Sequence, residues 1–183
     1  MRRGRIVLLN GASSSGKTSL GRALLPLLPD PWFLVPADVI GALRSPSFTR
    51  ELDDAEVAAV LRRTRSGYHR AVVGLAEAGN DVVMDYPLSE PWRLEELLAL
   101  TLGYDVTLVD VWCAPEERAR REAARGDRPA GLALSQEHVY DLPDRDLRVD
   151  TTHRLPEAAA AEVAALLVEG RTPTAFDRLR ASA

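Results

Sequence analysis

The sequence predicts an α/β fold in which a parallel sheet carries helices on both faces. Short β-rich runs alternate with longer helical segments along the chain. The strand runs are mostly continuous in hydrophobicity rather than alternating, as in strands covered on both faces. Several helical segments close on glycine, a frequent helix end. At 183 residues, 46% of them hydrophobic, the chain suits one compact domain over residues 1–183 with a core of its own.

"RIVLLN" is the first strand, and "KTSLGRALLPLL" the first helix. "WFLVP" follows as the second strand, then the long helical stretch "DDAEVAAVLRRTRSGYHRAVVGLAEAG". "DVVMDY" and "DVTLVDVW" are the third and fourth strands, with "PWRLEELLALTLG" between them as a helix. "PEERARREAARG" is helical, "LRVD" is the fifth strand, and "PEAAAAEVAALLVEG" closes the series. Such an order calls for right-handed crossovers and places ligands beyond the carboxyl ends of the strands. The tail "RTPTAFDRLRASA", residues 171–183, is polar and alanine-rich, which predicts partial disorder, with a short helix on "AFDRLR" as the alternative.

The formal net charge of −4 argues against a protein that coats nucleic acid. No stretch is apolar enough to span a membrane, and the apolar run in "MRRGRIVLLNG" is too short for a secretory signal. The single cysteine, Cys113, precludes an internal disulfide and fits a reducing compartment, so a cytoplasmic protein with neither nucleic-acid nor membrane partners is expected. His69, His138 and His153 are too scattered to suggest a metal cluster.

"GASSSGKT" matches the phosphate-loop pattern GxxxxGK[ST] at Gly11, Gly16, Lys17 and Thr18, with a strand before it and a helix after. Glycines permit the φ values that curl successive N–H groups toward a polyphosphate at the positive end of the helix. The run Gly11, Ala12, Ser13, Ser14, Ser15, Gly16, Lys17, Thr18 and Ser19 is therefore expected to hold a nucleotide's phosphates. Lys17 is the only lysine among 23 basic residues and is expected to reach the β- and γ-phosphates, while Thr18 offers a hydroxyl to Mg²⁺. A mere connecting turn would have no need of Lys-Thr. Asp85, ending the third strand, either joins Thr18 at Mg²⁺ or is an ordinary strand-end acid capping a helix. No lysine is left for a guanine-reading motif, and no GxGxxG supports a dinucleotide site.

"ERARREAARGDRPAG" suggests a lid over about residues 118–132. Its first turns read as a solvated helix pairing Arg121 with Glu117 and Arg120 with Glu116. Arg125 and Arg128 read as lid arginines that stabilise charge on a migrating phosphoryl group. Asp38, at the end of the second strand, suits a general base toward an acceptor hydroxyl and equally a helix N-cap. Residues 44–75 are rich in arginine and could line an acceptor pocket or form a wet helix face; no member is assigned.

Together, "LLNGASSSGKTSL", "LLPDPWFLVPAD" and "RREAARGDRPAG" followed by "VDTTH" resemble the chloramphenicol phosphotransferase family of P-loop kinases. The resemblance implies a three-layer P-loop kinase fold with a five-stranded parallel sheet of the shikimate-kinase type and an arginine-bearing lid. It implies ATP with Mg²⁺ as phosphoryl donor, a hydroxyl of a small molecule as acceptor, and an antibiotic such as chloramphenicol as that molecule, giving resistance by inactivation. Asp38 takes the position of the family's base, with Lys17, Arg125 and Arg128 completing the catalytic set. Arg121, Thr151 and Thr152 fall on the nucleotide side, the last two in the "DTTH" loop bordering the base. Two features depart from the family: Asp85 is followed by Tyr86 and Pro87 instead of a second acid, and residues 41–70 do not follow its acceptor-lining pattern. A kinase of a metabolite, sugar or nucleoside is the alternative; a nucleotide-binding regulator without transfer would leave Asp38 and the lid arginines without a task.

Overall fold

The computed structural model describes residues 2–45, 52–125, 131–170 and 172–182. Arg128 lies outside them. Strand β1 (Ile6–Asn10) leads through the phosphate loop into α1 (Lys17–Leu24), followed by β2 (Trp32–Pro36), α2 (Ala37–Ala42) and the long α3 (Asp54–Glu77). Next come β3 (Asp81–Asp85), α4 (Pro91–Leu100), β4 (Val106–Trp112), α5 (Pro115–Arg125) and the single turn α6 (Leu132–Ser135). Strand β5 (Leu147–Asp150), α7 (Pro156–Glu169) and α8 (Ala175–Ala181) complete the order.

The five strands pair in parallel in the order β2-β3-β1-β4-β5. Period-two alternation along β1 divides the core into two layers. Ile6 and Leu8 face a cluster with Tyr68, Val72, Phe176 and Leu97, whereas Val7 and Leu9 face Leu20, Leu24, Ala160 and Val163. Helices α3, α4 and α8 thus cover one face, and α1 and α7 the other. All of β1 and β3 is buried, which accounts for the unbroken apolar stretches "IVLL" and "VVM" within them.

Helix α3 opens with a capping box in which Asp53 accepts from Glu56 N–H at 2.8 Å and Glu56 accepts from Asp53 N–H at 3.0 Å. The first helix is shorter than its apolar pattern suggested: it ends at Leu24, and Leu25–Leu27 tightens into a 3₁₀ turn around Pro26, which has no N–H to continue the ladder. The tail takes the helical alternative. Thr174 and Asp177 cap α8 reciprocally, Phe176 and Leu179 join the core, and Ala175 N–H donates to Asp146 at 2.7 Å.

Register determines what meets at the carboxyl edge. Leu9 pairs with Asp85, Asn10 with Asp110, and Pro36 with Asp85, so the phosphate loop, Asp38 and Asp85 leave neighbouring strands on the same side. At the opposite edge Asp81, 1% exposed, accepts from Arg5 N–H at 2.7 Å and the Arg5 guanidinium at 2.6 Å, with Arg2 at 3.2 Å. Burial pushes the Asp81 carboxyl up, but the Arg5 and Arg2 donors outweigh it and hold the group below its ordinary value. Its contribution is therefore complete above the unfolded carboxylate range and is lost as pH falls through the folded value. Asp81→Asn is expected to cost about 2 kcal/mol at neutral pH. In urea titrations the gap from wild type should narrow on acidification; a gap independent of pH would remove the charge of Asp81 from the account.

Candidate active site

The loop between β1 and α1 depends on two positions that accept backbone most residues avoid and on one that has no room for a side chain. Gly16 has φ 97° and Ser14 φ 60°. At Gly11 the constraint is space: a Cβ there would stand 2.4 Å from the Val111 carbonyl oxygen. Helix α1 then begins with no side-chain cap and no acid in its first turn. The Ser13 and Ser14 hydroxyl oxygens are buried without a hydrogen-bond partner among the described residues. Orphaned polar groups around the positive end of an uncapped helix fit the phosphates of a nucleotide.

Lys17 is buried and donates to the carbonyls of Gly11 at 2.8 Å and Ala12 at 2.9 Å. An ammonium this enclosed needs acceptors, and the loop's own carbonyls serve. Thr18 donates to Asp85 at 2.5 Å, bridging α1 and the end of β3. A hydroxyl beside a carboxylate is the hard oxygen pair suited to Mg²⁺, so these two residues fit the ion that P-loop kinases use.

A cleft of ≈ 240 Å³ opens over this pair and is lined by Lys17, Thr18, Asp38, Arg65, Asp85, Arg125 and Gln136, among others. Asp38 is exposed within it and is not the N-cap of α2: Pro36 holds that position and Asp38 stands in the first helical turn. Tyr86, buried behind Asp85, has its phenol pushed up to about 12 by burial, so it stays protonated at neutral pH. Burial likewise pushes the Cys113 thiol up, consistent with an inert strand-end cysteine.

A second cleft, ≈ 360 Å³, lies across the loop and includes Ser14, Gly16, Ser19, Arg121, Arg125, Thr151 and Pro156 in its lining. Arg125 lines both clefts. Arg121 is fixed by Glu117 at 2.8 Å, the Thr151 carbonyl at 2.7 Å and the Thr152 carbonyl at 3.2 Å. Thr151 donates to the Ser15 carbonyl at 2.6 Å and so braces the loop. Thr152 lines neither cleft: its hydroxyl donates to Asp150 at 2.6 Å and accepts Ala114 N–H at 2.9 Å. Arg120 pairs with Glu117, not with Glu116; Glu117 thus accepts from two guanidiniums, which hold it down at about 2.

Other groups at the site had no signal in the sequence. Asn10 is fully buried and donates to Asp110 at 2.8 Å and the Val139 carbonyl at 2.7 Å while accepting Leu88 N–H at 2.9 Å. Tyr140 accepts Ala12 N–H at 3.1 Å and donates to the Val111 carbonyl at 3.0 Å. Gln136 accepts Ser13 N–H at 2.7 Å. Among the described arginines of residues 44–75, Arg65 lines the first cleft, and helical spacing alone could not have singled it out.

The family described as chloramphenicol phosphotransferase-like protein matches residues 4–168. A Mycobacterium tuberculosis protein named "putative O-phosphotransferase" is 28% identical over 204 residues, covering 98% of this chain and 89% of that protein. Among solved structures, the Mycobacterium tuberculosis APS kinase in complex with AMPPNP and APS is similar at 18% identity and a TM-score of 0.67, covering 92% of this chain and 99% of that one. Shikimate kinase from Acinetobacter baumannii in complex with shikimate is similar at 15% identity and a TM-score of 0.66, covering 92% and 96%. These structural likenesses share the P-loop kinase fold.

Gly11→Ala is expected to drive the loop away from Val111 and weaken Mg·ADP binding by about tenfold or more, roughly 1.4 kcal/mol, with an unchanged far-UV spectrum. Calorimetric affinity equal to wild type would mean that the turn at Gly11 plays no part in holding phosphate.

Proposed function

Because the chain belongs to the chloramphenicol phosphotransferase-like family, we propose that this kinase-type phosphotransferase moves the γ-phosphoryl group of ATP to a hydroxyl of a small molecule, with an antibiotic such as chloramphenicol as the first candidate. One observation carries the reading: Asp38 lines the same cleft as Lys17, Thr18 and Asp85, from a different strand end. An acceptor hydroxyl between these groups has a carboxylate for its proton and a phosphoryl group for its oxygen.

In the reaction, the acceptor oxygen forms a bond to the γ-phosphorus, the bond from that phosphorus to the β–γ bridging oxygen breaks, and ADP leaves. Asp38 takes the hydroxyl proton. Lys17 exchanges the Gly11 and Ala12 carbonyls for phosphate oxygens, and the loop amides hold the rest of the chain of phosphates. Thr18 and Asp85 would hold Mg²⁺, which supplies charge neutralisation on the phosphates. Arg125, lining both clefts, and Arg128 from the lid offset charge on the migrating group. Arg121 and Pro156 flank the nucleotide base, with Thr151 holding the loop beneath it. An ATP-using enzyme with one buried cysteine suits the cytoplasm.

Arg65 favours a second reading. A guanidinium in the acceptor cleft suits a metabolite or sugar bearing a carboxylate or phosphate better than a neutral antibiotic. A screen by mass spectrometry, offering neutral antibiotics beside carboxylated and phosphorylated acceptors, separates the two: phosphate added to the neutral set alone would exclude the anionic acceptor.

Asp38→Ala is expected to lower transfer by about 10³-fold while Mg·ADP affinity stays within about twofold. Full turnover in that variant would take Asp38 out of the mechanism. Lys17→Ala should depress turnover sharply; unchanged turnover would mean the loop does not engage the phosphoryl donor.

A further inference from the structure

Gln136 has no part in the chemistry just described, yet it lines the transfer cleft with Lys17, Thr18, Asp38 and Asp85. Its Oε1 accepts Ser13 N–H at 2.7 Å. A backbone N–H can only donate, so the carboxamide has one orientation: oxygen on the loop, NH₂ turned away from that contact. Among the described residues the NH₂ group makes no hydrogen bond.

The chain on either side of Gln136 is tied to its surroundings. Toward the lid helix, the buried Glu122 carboxylate accepts Gly131 N–H at 2.8 Å and Ala133 N–H at 2.7 Å. Arg118, fully buried, donates to the Ala133 carbonyl at 2.8 Å and pairs with Glu137. Toward the phosphate loop, Tyr140 and the Val139 carbonyl bond to Ala12 and Asn10. Gln136 thus stands on a stretch of chain tied to α5 on one side and to the phosphate loop on the other, with Ser13 N–H holding its side chain.

We propose that Gln136 is a specificity residue for the phosphoryl donor: Oε1 holds the third residue of the phosphate loop while NH₂ donates to an oxygen of the terminal phosphoryl group, so that a triphosphate is distinguished from a diphosphate. A neutral amide adds no charge of its own and is preorganised for the charge that spreads over that group during transfer. The assignment rests on the phosphoryl-transfer reading of the cleft.

Calorimetry of the full chain with Mg·ADP and Mg·AMPPNP tests it in Gln136→Glu and Gln136→Ala. Glutamate keeps an oxygen for Ser13 N–H and exchanges the NH₂ donor for an anion. In Gln136→Glu, Mg·ADP affinity should stay within about twofold and Mg·AMPPNP affinity fall by about tenfold or more; in Gln136→Ala the AMPPNP-to-ADP affinity ratio should also fall, by about fivefold. A ratio unchanged in both variants overturns the proposal and leaves Gln136 as a brace for the loop. A ratio that falls only in Gln136→Glu overturns it too, since charge alone would then be at work. Wild-type protein that binds neither nucleotide would instead overturn the phosphoryl-transfer reading, and this assignment with it.

Discussion

The passage of the chain from β1 into α1, pressed against the neighbouring strand β4, sets the position of the loop that both clefts share. The loop leaves β1 close enough to Val111 that Gly11 has no room for a side chain, and the Tyr140 hydroxyl bridges the Val111 carbonyl to Ala12 N–H. One residue earlier, the Asn10 carboxamide joins β1 to β4, to the Val139 carbonyl and to the segment after β3. A buried amide with its hydrogen-bonding groups engaged specifies one arrangement; the same group half-satisfied would cost more than an apolar side chain. Asp110, buried beside Asn10, is offset by Arg145 at 3.0 Å and Arg148 at 3.2 Å, so the network closes without an isolated charge.

Two clefts share the loop and differ in chemistry. One gathers Lys17, Arg65 and Arg125 with the carboxylates of Asp38 and Asp85, a mixed-charge chamber suited to moving a phosphoryl group and a proton. The other is walled by Arg121, Thr151 and Pro156, with the guanidinium of Arg121 held by a carboxylate and two carbonyls. Lys17, buried in the loop they share, rests on the carbonyls of Gly11 and Ala12.

Local spacing made the loop and its lysine legible in the sequence, because the chemistry of a phosphate cradle resides in consecutive residues. Asp85 was legible as a strand-end acid, but its meeting with Thr18, 67 residues away, depends on β3 lying next to β1. Asp38 was undecided between helix cap and cleft until the backbone showed Pro36 at the cap. Thr152 belongs to the same short motif as Thr151, yet one hydroxyl braces the loop and the other is occupied by Asp150. Gln136, Tyr140 and Arg65 left no mark, since each reaches the site through tertiary packing with no periodicity to betray it.

The strand order has a further consequence for how such a protein diversifies. The phosphate loop and Asp85 hang from β1 and β3 in the interior of the sheet, whereas Asp38 follows β2, a rim strand; Phe33 on that strand, and Val39 and Leu43 in and just after α2, are exposed. Insertions or exchanges around that margin disturb one neighbour instead of two and leave the central pairing intact. On the phosphoryl-transfer reading, selection can therefore retune which molecule is modified by reworking that border, while the phosphate loop and Asp85 stay fixed by the inner strands.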